Sequence, residues 1–118
     1  MKRLLFFFIA FTLSNAFAGN DSFFLAKGMS LYKARKLILQ NGWKPHPVYI
    51  GEHIGVEHEL LKKGFKEIEV CTEGKSFCTF NYKKQQQCLR LITIGEEIKN
   101  MYVESWDMEC EQGIDETK

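Results

Sequence analysis

Three histidines, His46, His53 and His58, are the side chains of this 118-residue sequence whose ordinary pKa lies nearest neutrality. Two of them stand among Glu52, Glu57 and Glu59. Histidine beside carboxylate is the material of zinc centres and of acid-base hydrolysis. The spacing does not assemble either one. A zinc-binding HExxH helix needs its histidines four apart on one face, and His53 and His58 are five apart, so all three read as surface or loop histidines. Beyond the leader, Ser22, Ser30, Ser76 and Ser105 fall in no Gly-x-Ser-x-Gly elbow, and Gly74 lacks the companions of a phosphate-cradling loop. Glu67 and Glu69 alternate along a strand pattern and read as its wet side. A hydrolase would have to take its acid and base from Glu67 and Glu69 or from His53 and His58. No residue is assigned to catalysis, to a cofactor or to a metal.

The four cysteines carry more information. Cys71, Cys78, Cys88 and Cys110 are separated by six, nine and twenty-one residues, with no CxxC pair, which removes thioredoxin-type redox chemistry and the usual zinc spacings. An even number in an exported chain favours two disulfides. Sequence leaves three pairings open. Geometry ranks them: a hairpin over Thr72-Glu73-Gly74-Lys75-Ser76-Phe77 sets Cys71 opposite Cys78, which leaves Cys88 for Cys110. In the chain-entropy picture such loops contribute about 2.5 and about 3.4 kcal/mol, a large part of a total stability of roughly 5 to 15 kcal/mol.

Export is read from the start of the chain. Lys2 and Arg3 precede an apolar run from Leu4 to Leu13, and Ser14-Asn15 leads into Ala16-Phe17-Ala18, the grammar of a secretory signal peptide cut after Ala18. The run is about half of the ~20 residues that span a bilayer. No later stretch is apolar enough to stop translocation, and no cysteine lies near the cut to carry a lipid. The expected organisation is therefore a leader over 1–18, one domain over 19–110 and a polar, fraying tail over 111–118. Processing leaves 118 − 18 = 100 residues, and removal of Lys2 and Arg3 from 16 basic against 15 acidic residues leaves 14 against 15, a formal charge of −1. That balance gives no electrostatic reason to expect nucleic acid. A periplasmic or secreted setting without a membrane anchor is expected.

The elements that must position these residues follow from periodicity. Phe23-Phe24-Leu25 reads as a short strand or an arm on the core. Ser30 caps a helix over Leu31 to Asn41, with Leu31, Ala34, Leu37 and Ile38 on one side, and Gly42 ends it so that Trp43 folds back on Ile38. Pro45-His46-Pro47-Val48-Tyr49-Ile50 must be extended, and its prolines confine it to an edge strand or a loop. A second helix spans about Val56 to Lys63 and ends at Gly64-Phe65. Both exits read Gly-aromatic-Lys, an echo with a period of 22 that is assigned to shared helix-exit chemistry rather than duplication. From Phe65 the period becomes two, giving four strands: around Ile68 and Val70, around Cys78 to Tyr82, over Leu89 to Ile94, and over Tyr102 to Trp106. Short connections permit an antiparallel meander. The predicted class is α+β: two N-terminal helices packed on a four-stranded antiparallel meander sheet, as a two-layer sandwich.

The stretches Ala34-Arg35-Lys36-Leu37, Asn41-Gly42-Trp43-Lys44-Pro45, Lys63-Gly64-Phe65-Lys66-Glu67-Ile68-Glu69-Val70-Cys71, Cys78-Thr79-Phe80-Asn81-Tyr82 and Cys88-Leu89-Arg90-Leu91-Ile92-Thr93, with Trp106 and Cys110, resemble a family of small uncharacterised exported proteins of proteobacteria. That family shares the helix-Gly-Trp-x-Pro exit and the four-cysteine pattern. The resemblance implies a bacterial periplasmic setting and carries over no activity. In architecture alone the helix pair and sheet also look like β-lactamase-inhibitor and outer-membrane-assembly lipoprotein folds. Export, small stapled size and missing catalytic grammar together point to a binding module whose partner is another envelope protein, met through the sheet, through Tyr49 in the Pro45 to Gly55 loop, or through Trp106 near the end of the last strand. Oligomeric state is left open.

Overall fold

A computed structural model describes residues 23–49 and 51–110. The leader assigned to 1–18 and the tail over 111–118 lie outside the described residues. Chain order is α1 (Leu31–Gln40), β1 (Lys44–Pro45), α2 (Val56–Lys62), β2 (Ile68–Cys71), β3 (Phe77–Lys84), β4 (Gln87–Ile94) and β5 (Tyr102–Asp107), with a 3-10 turn over Ile98–Asn100 before the last strand. The class is α+β with one antiparallel sheet. Two parts of the predicted arrangement are corrected. The sheet has five strands instead of four, and the helices do not both precede it, because β1 lies between them.

Both helices stop by the same local chemistry. Ser30 Oγ accepts the Lys33 N–H at 3.1 Å and starts α1, whose Leu31, Ala34 and Ile38 are buried. At its end Gly42 adopts φ +92°, a conformation that favours glycine, and the Trp43 N–H reaches back to the Ile38 carbonyl at 3.2 Å. At the end of α2, Gly64 adopts φ +96° and the Phe65 N–H donates to the Leu60 carbonyl at 2.9 Å. The echo in the sequence is thus two copies of one helix exit, each delivering a buried aromatic ring to the core.

The prolines explain the extra strand. β1 is two residues long and pairs Lys44 with Lys83 and Pro45 with Tyr82, at an edge where the missing N–H of Pro45 costs nothing. β2 pairs with the other half of the same edge, Ile68 with Phe80 and Cys71 with Cys78. Asn81 marks the hand-over: its N–H donates to the Glu67 carbonyl at 3.0 Å and its carbonyl accepts the His46 N–H at 2.8 Å. β3, β4 and β5 then run as a simple meander. The β3 to β4 turn is only Gln85 and Gln86, with Gln85 at φ 57°.

Alternation gives the sheet two faces. Cys78, Phe80 and Tyr82 of β3, Leu89, Leu91 and Thr93 of β4, and Val103 of β5 are buried on one side. All but Thr93 join one core cluster with Leu31, Ala34 and Ile38 of α1 and Leu60 of α2. Phe23, Phe24 and Leu25 form no strand; they pack on this core as an arm, with Phe23 stacked on Trp106 at 6.1 Å between ring centres. Cys71 is bonded to Cys78, and Cys88 to Cys110.

Candidate functional site

On its other face the sheet is left uncovered by the described residues over two rows of side chains. Phe77, Ile94 and Tyr102 stand side by side across β3, β4 and β5, and Val70, Thr79, Ile92 and Ser105 form the next row across β2 to β5. Val70 and Tyr102 are each 42% exposed, and Phe77, Ile92 and Ile94 are half-buried. Both rows are uncharged. One row further on, the character changes: the Asn81 amide donates to Glu69 at 2.8 Å, and Arg90 pairs with Asp107 at 3.4 Å. An uncharged half-face roughly 15 Å wide, four strands across, therefore ends at a polar border where Arg90 and Asp107 pair and Glu69 is held by the Asn81 amide.

The free edges of this sheet are blunted. Beyond the β2 edge, Glu57 Oε2 accepts the Cys71 N–H at 2.7 Å, placing a carboxylate where an added strand would have to bond. On the β5 edge the Val103 N–H donates to Met29 O at 2.7 Å, and Gly28 N–H donates to Val103 O at 2.8 Å. Addition of a partner strand is obstructed at both positions, whereas the open face is accessible.

Two polar constellations lie elsewhere. The first is buried under α1. Glu67, 0% exposed, accepts two hydrogen bonds from Arg35, one to each carboxylate oxygen, and a third from the Tyr82 hydroxyl at 2.7 Å. Arg35 also donates to the Gly64 carbonyl at 3.0 Å and lies 4.5 Å from the centre of the Phe65 ring. The hydrogen bond it donates to Glu67 raises the Arg35 pKa further, and burial, aided by the Glu67 charge, pushes Tyr82 well above the ordinary tyrosine value. This cluster fastens α1 and the exit of α2 to the sheet.

The second constellation ties down the loop before α2. His53 Nδ1 donates to Glu57 Oε1 at 2.8 Å while Glu57 Oε2 holds the Cys71 amide, and the Tyr49 ring meets the His53 ring edge-on at 4.9 Å. Histidine and carboxylate do meet here. Both oxygens of Glu57 are nevertheless occupied by donors of the chain itself, an anchoring arrangement. A hollow of about 310 Å³ beside it is lined by Ile54, Val56, Glu57, Cys71, Thr72 and Glu73, with no histidine in its wall. His58 is exposed, and His46 is held below its usual pKa by burial and by Lys83. Among the described residues no group of three or more His, Cys, Asp or Glu side chains is placed to hold a metal ion.

Comparison with family models, curated proteins and solved structures gives no match. Chemistry must therefore be judged from the geometry alone.

The residues singled out from the sequence are dispersed. Tyr49 is exposed on the loop between β1 and α2, and Trp106 is half-buried on the core side of β5 against Phe23; neither belongs to the open rows. Glu67 is not on a wet strand face. β2 begins one residue later, at Ile68, and its register slips between Ile68 and Val70, so the period-two pattern does not extend to Glu67. The Arg35, Glu67 and Tyr82 cluster was missed because its members are 32 and 15 residues apart and carry no local signal. The sequence offers the sheet as a docking surface without distinguishing this face, which lies away from the helices.

Proposed function

We propose that this protein is a non-enzymatic binding module of the bacterial envelope, of inhibitor, immunity or assembly type, that docks another envelope protein through the open half of its sheet. The observation that carries the reading is the pair of uncharged rows containing Val70, Phe77, Ile92, Ile94 and Tyr102, left uncovered by the described residues on a sheet whose opposite face carries the core. Blunted edges support recognition by the face rather than by strand addition. The engaged oxygens of Glu57 and the enclosure of Glu67 support a binder over a hydrolase. Two disulfides fit an oxidising compartment, and no helix among the described residues is long and apolar enough to cross a membrane. Removal of residues 1–18 on export, and a periplasmic or secreted location, belong to the same proposal.

Two rows of side chains roughly 15 Å wide cover less than the ~800 Å² each partner contributes to a stable complex, so the complex is expected to be transient. The test is affinity capture from envelope extract with the oxidised, processed protein as bait, in parallel with an Ile94→Lys, Tyr102→Ser variant. The expected outcome is a protein retained reproducibly by the parent and lost with the variant. Retention of nothing reproducible, or equal retention by both baits, overturns the proposal.

A further inference from the structure

On the side of the molecule formed by α1, a different surface meets solvent. Leu31, Ala34 and Ile38 face the core, which turns Tyr32, Lys33, Lys36, Leu39 and Gln40 outward. Tyr32 and Leu39, seven residues and about 10 Å apart along the axis, lie on one line of the helix, 47% and 37% exposed, with the Tyr32 ring also edge-on to Phe65. Lys33 and Lys36 form a parallel basic row beside it. The helix contains no acidic residue, and its remaining cation, Arg35, is committed to Glu67. Neither Lys33 nor Lys36 has an ion pair among the described residues.

From this geometry we infer that the outer face of α1 is a peripheral docking surface for an anionic phospholipid bilayer. An apolar row bordered by lysines on a helix lying flat is what a headgroup surface accepts: the apolar side chains enter the interface while the ammonium groups meet phosphate. The helix surface offers a hollow of about 580 Å³ lined by Ser30, Tyr32, Lys33, Lys36, Leu37 and Gln40, open enough for a headgroup. Across Tyr32 a second hollow is lined by Lys63 and Lys99 together with Glu59 and Glu97, so its charges offset one another and the net positive charge stays on α1. Lysines at a negatively charged membrane surface add small, salt-screened increments, so two of them with Tyr32 and Leu39 give a weak, reversible and salt-sensitive attachment. This surface is separate from the open sheet face and does not depend on it.

The experiment is co-sedimentation of the processed protein, purified after export, with vesicles of phosphatidylcholine containing about one third phosphatidylglycerol, and with vesicles of phosphatidylcholine alone. Binding is expected to the anionic vesicles only. It should fall about tenfold or more in a Lys33→Glu, Lys36→Glu variant and on raising salt to about 0.5 M, and measurably in Tyr32→Ala. These positions are solvent-facing, and circular dichroism of each variant checks that the fold is intact. No binding by the parent, equal binding to neutral vesicles, or binding indifferent to charge reversal in a folded variant overturns the inference.

Discussion

The two faces of the sheet are made of similar side chains put to opposite use. On the inner face, Phe80, Tyr82, Leu89, Leu91 and Val103 are enclosed by α1, α2 and the Phe23 to Leu25 arm. On the outer face, Phe77, Ile92, Ile94 and Tyr102 have the same β-forming character and no covering layer among the described residues. The sheet as such requires only one apolar face to be stable in water. The second set is therefore the informative one, because its burial contributes least to folding.

The inner face is expected to be sensitive where its buried ion pair is touched. Arg35→Leu leaves the Glu67 carboxylate enclosed with the Tyr82 hydroxyl as its remaining donor, and a loss of about 3 to 5 kcal/mol in denaturant unfolding is expected. A loss under about 1 kcal/mol would show that the cluster is not needed to hold α1 to the sheet.

Tyr82 sharpens the same point through pH. Its pKa is raised in the folded state, so its contribution is complete below about pH 10, the unfolded value, and is lost as pH climbs through the higher folded value. Tyr82→Phe should cost about 1.5 to 3 kcal/mol near neutrality, because a hydrogen bond to a charged group is removed, and should flatten the alkaline fall in stability. A parent whose stability is level well above pH 10 would contradict the buried position of that hydroxyl.

A smaller effect of opposite sign is expected at Thr93. Its hydroxyl is buried with no hydrogen-bond partner among the described residues, between Cys78 and Val103 on the inner face. Thr93→Val keeps the shape and removes the unsatisfied group, so stability should rise by about 1 kcal/mol. The outer face is expected to change no more than this: Ile94→Lys, at a half-buried strand position, should cost at most about 1 kcal/mol. A loss above about 2 kcal/mol there would mean that the face is packed, and the contrast between the faces would fail.

Much of the architecture was legible because it is local. Ser30, Gly42 and Gly64 punctuate the helices through hydrogen bonds that span a few residues. Alternation placed β3, β4 and β5 within two residues of their ends. What was not legible depends on contacts between distant residues. Two residues, Lys44 and Pro45, become a strand only because the β3 edge beyond Asn81 is vacant, and a two-residue element has no period to detect. Glu67 reads as solvent-facing until Arg35 and Tyr82 arrive from elsewhere in the chain. For the candidate site, an apolar residue of a strand looks the same in sequence whether a helix covers it or not. The sequence offers the sheet as a docking surface without saying which face or which rows.

The most direct test places a photo-crosslinking amino acid at Ile94 or Tyr102 on the open face, and at Gln86 in the exposed β3 to β4 turn as a control, in the protein expressed with its natural export. A discrete crosslinked adduct of defined mass from Ile94 and Tyr102, absent from Gln86, is the expected result. No adduct from either face position, or the same adducts from all three, would contradict the assignment of that face as the site where a partner docks.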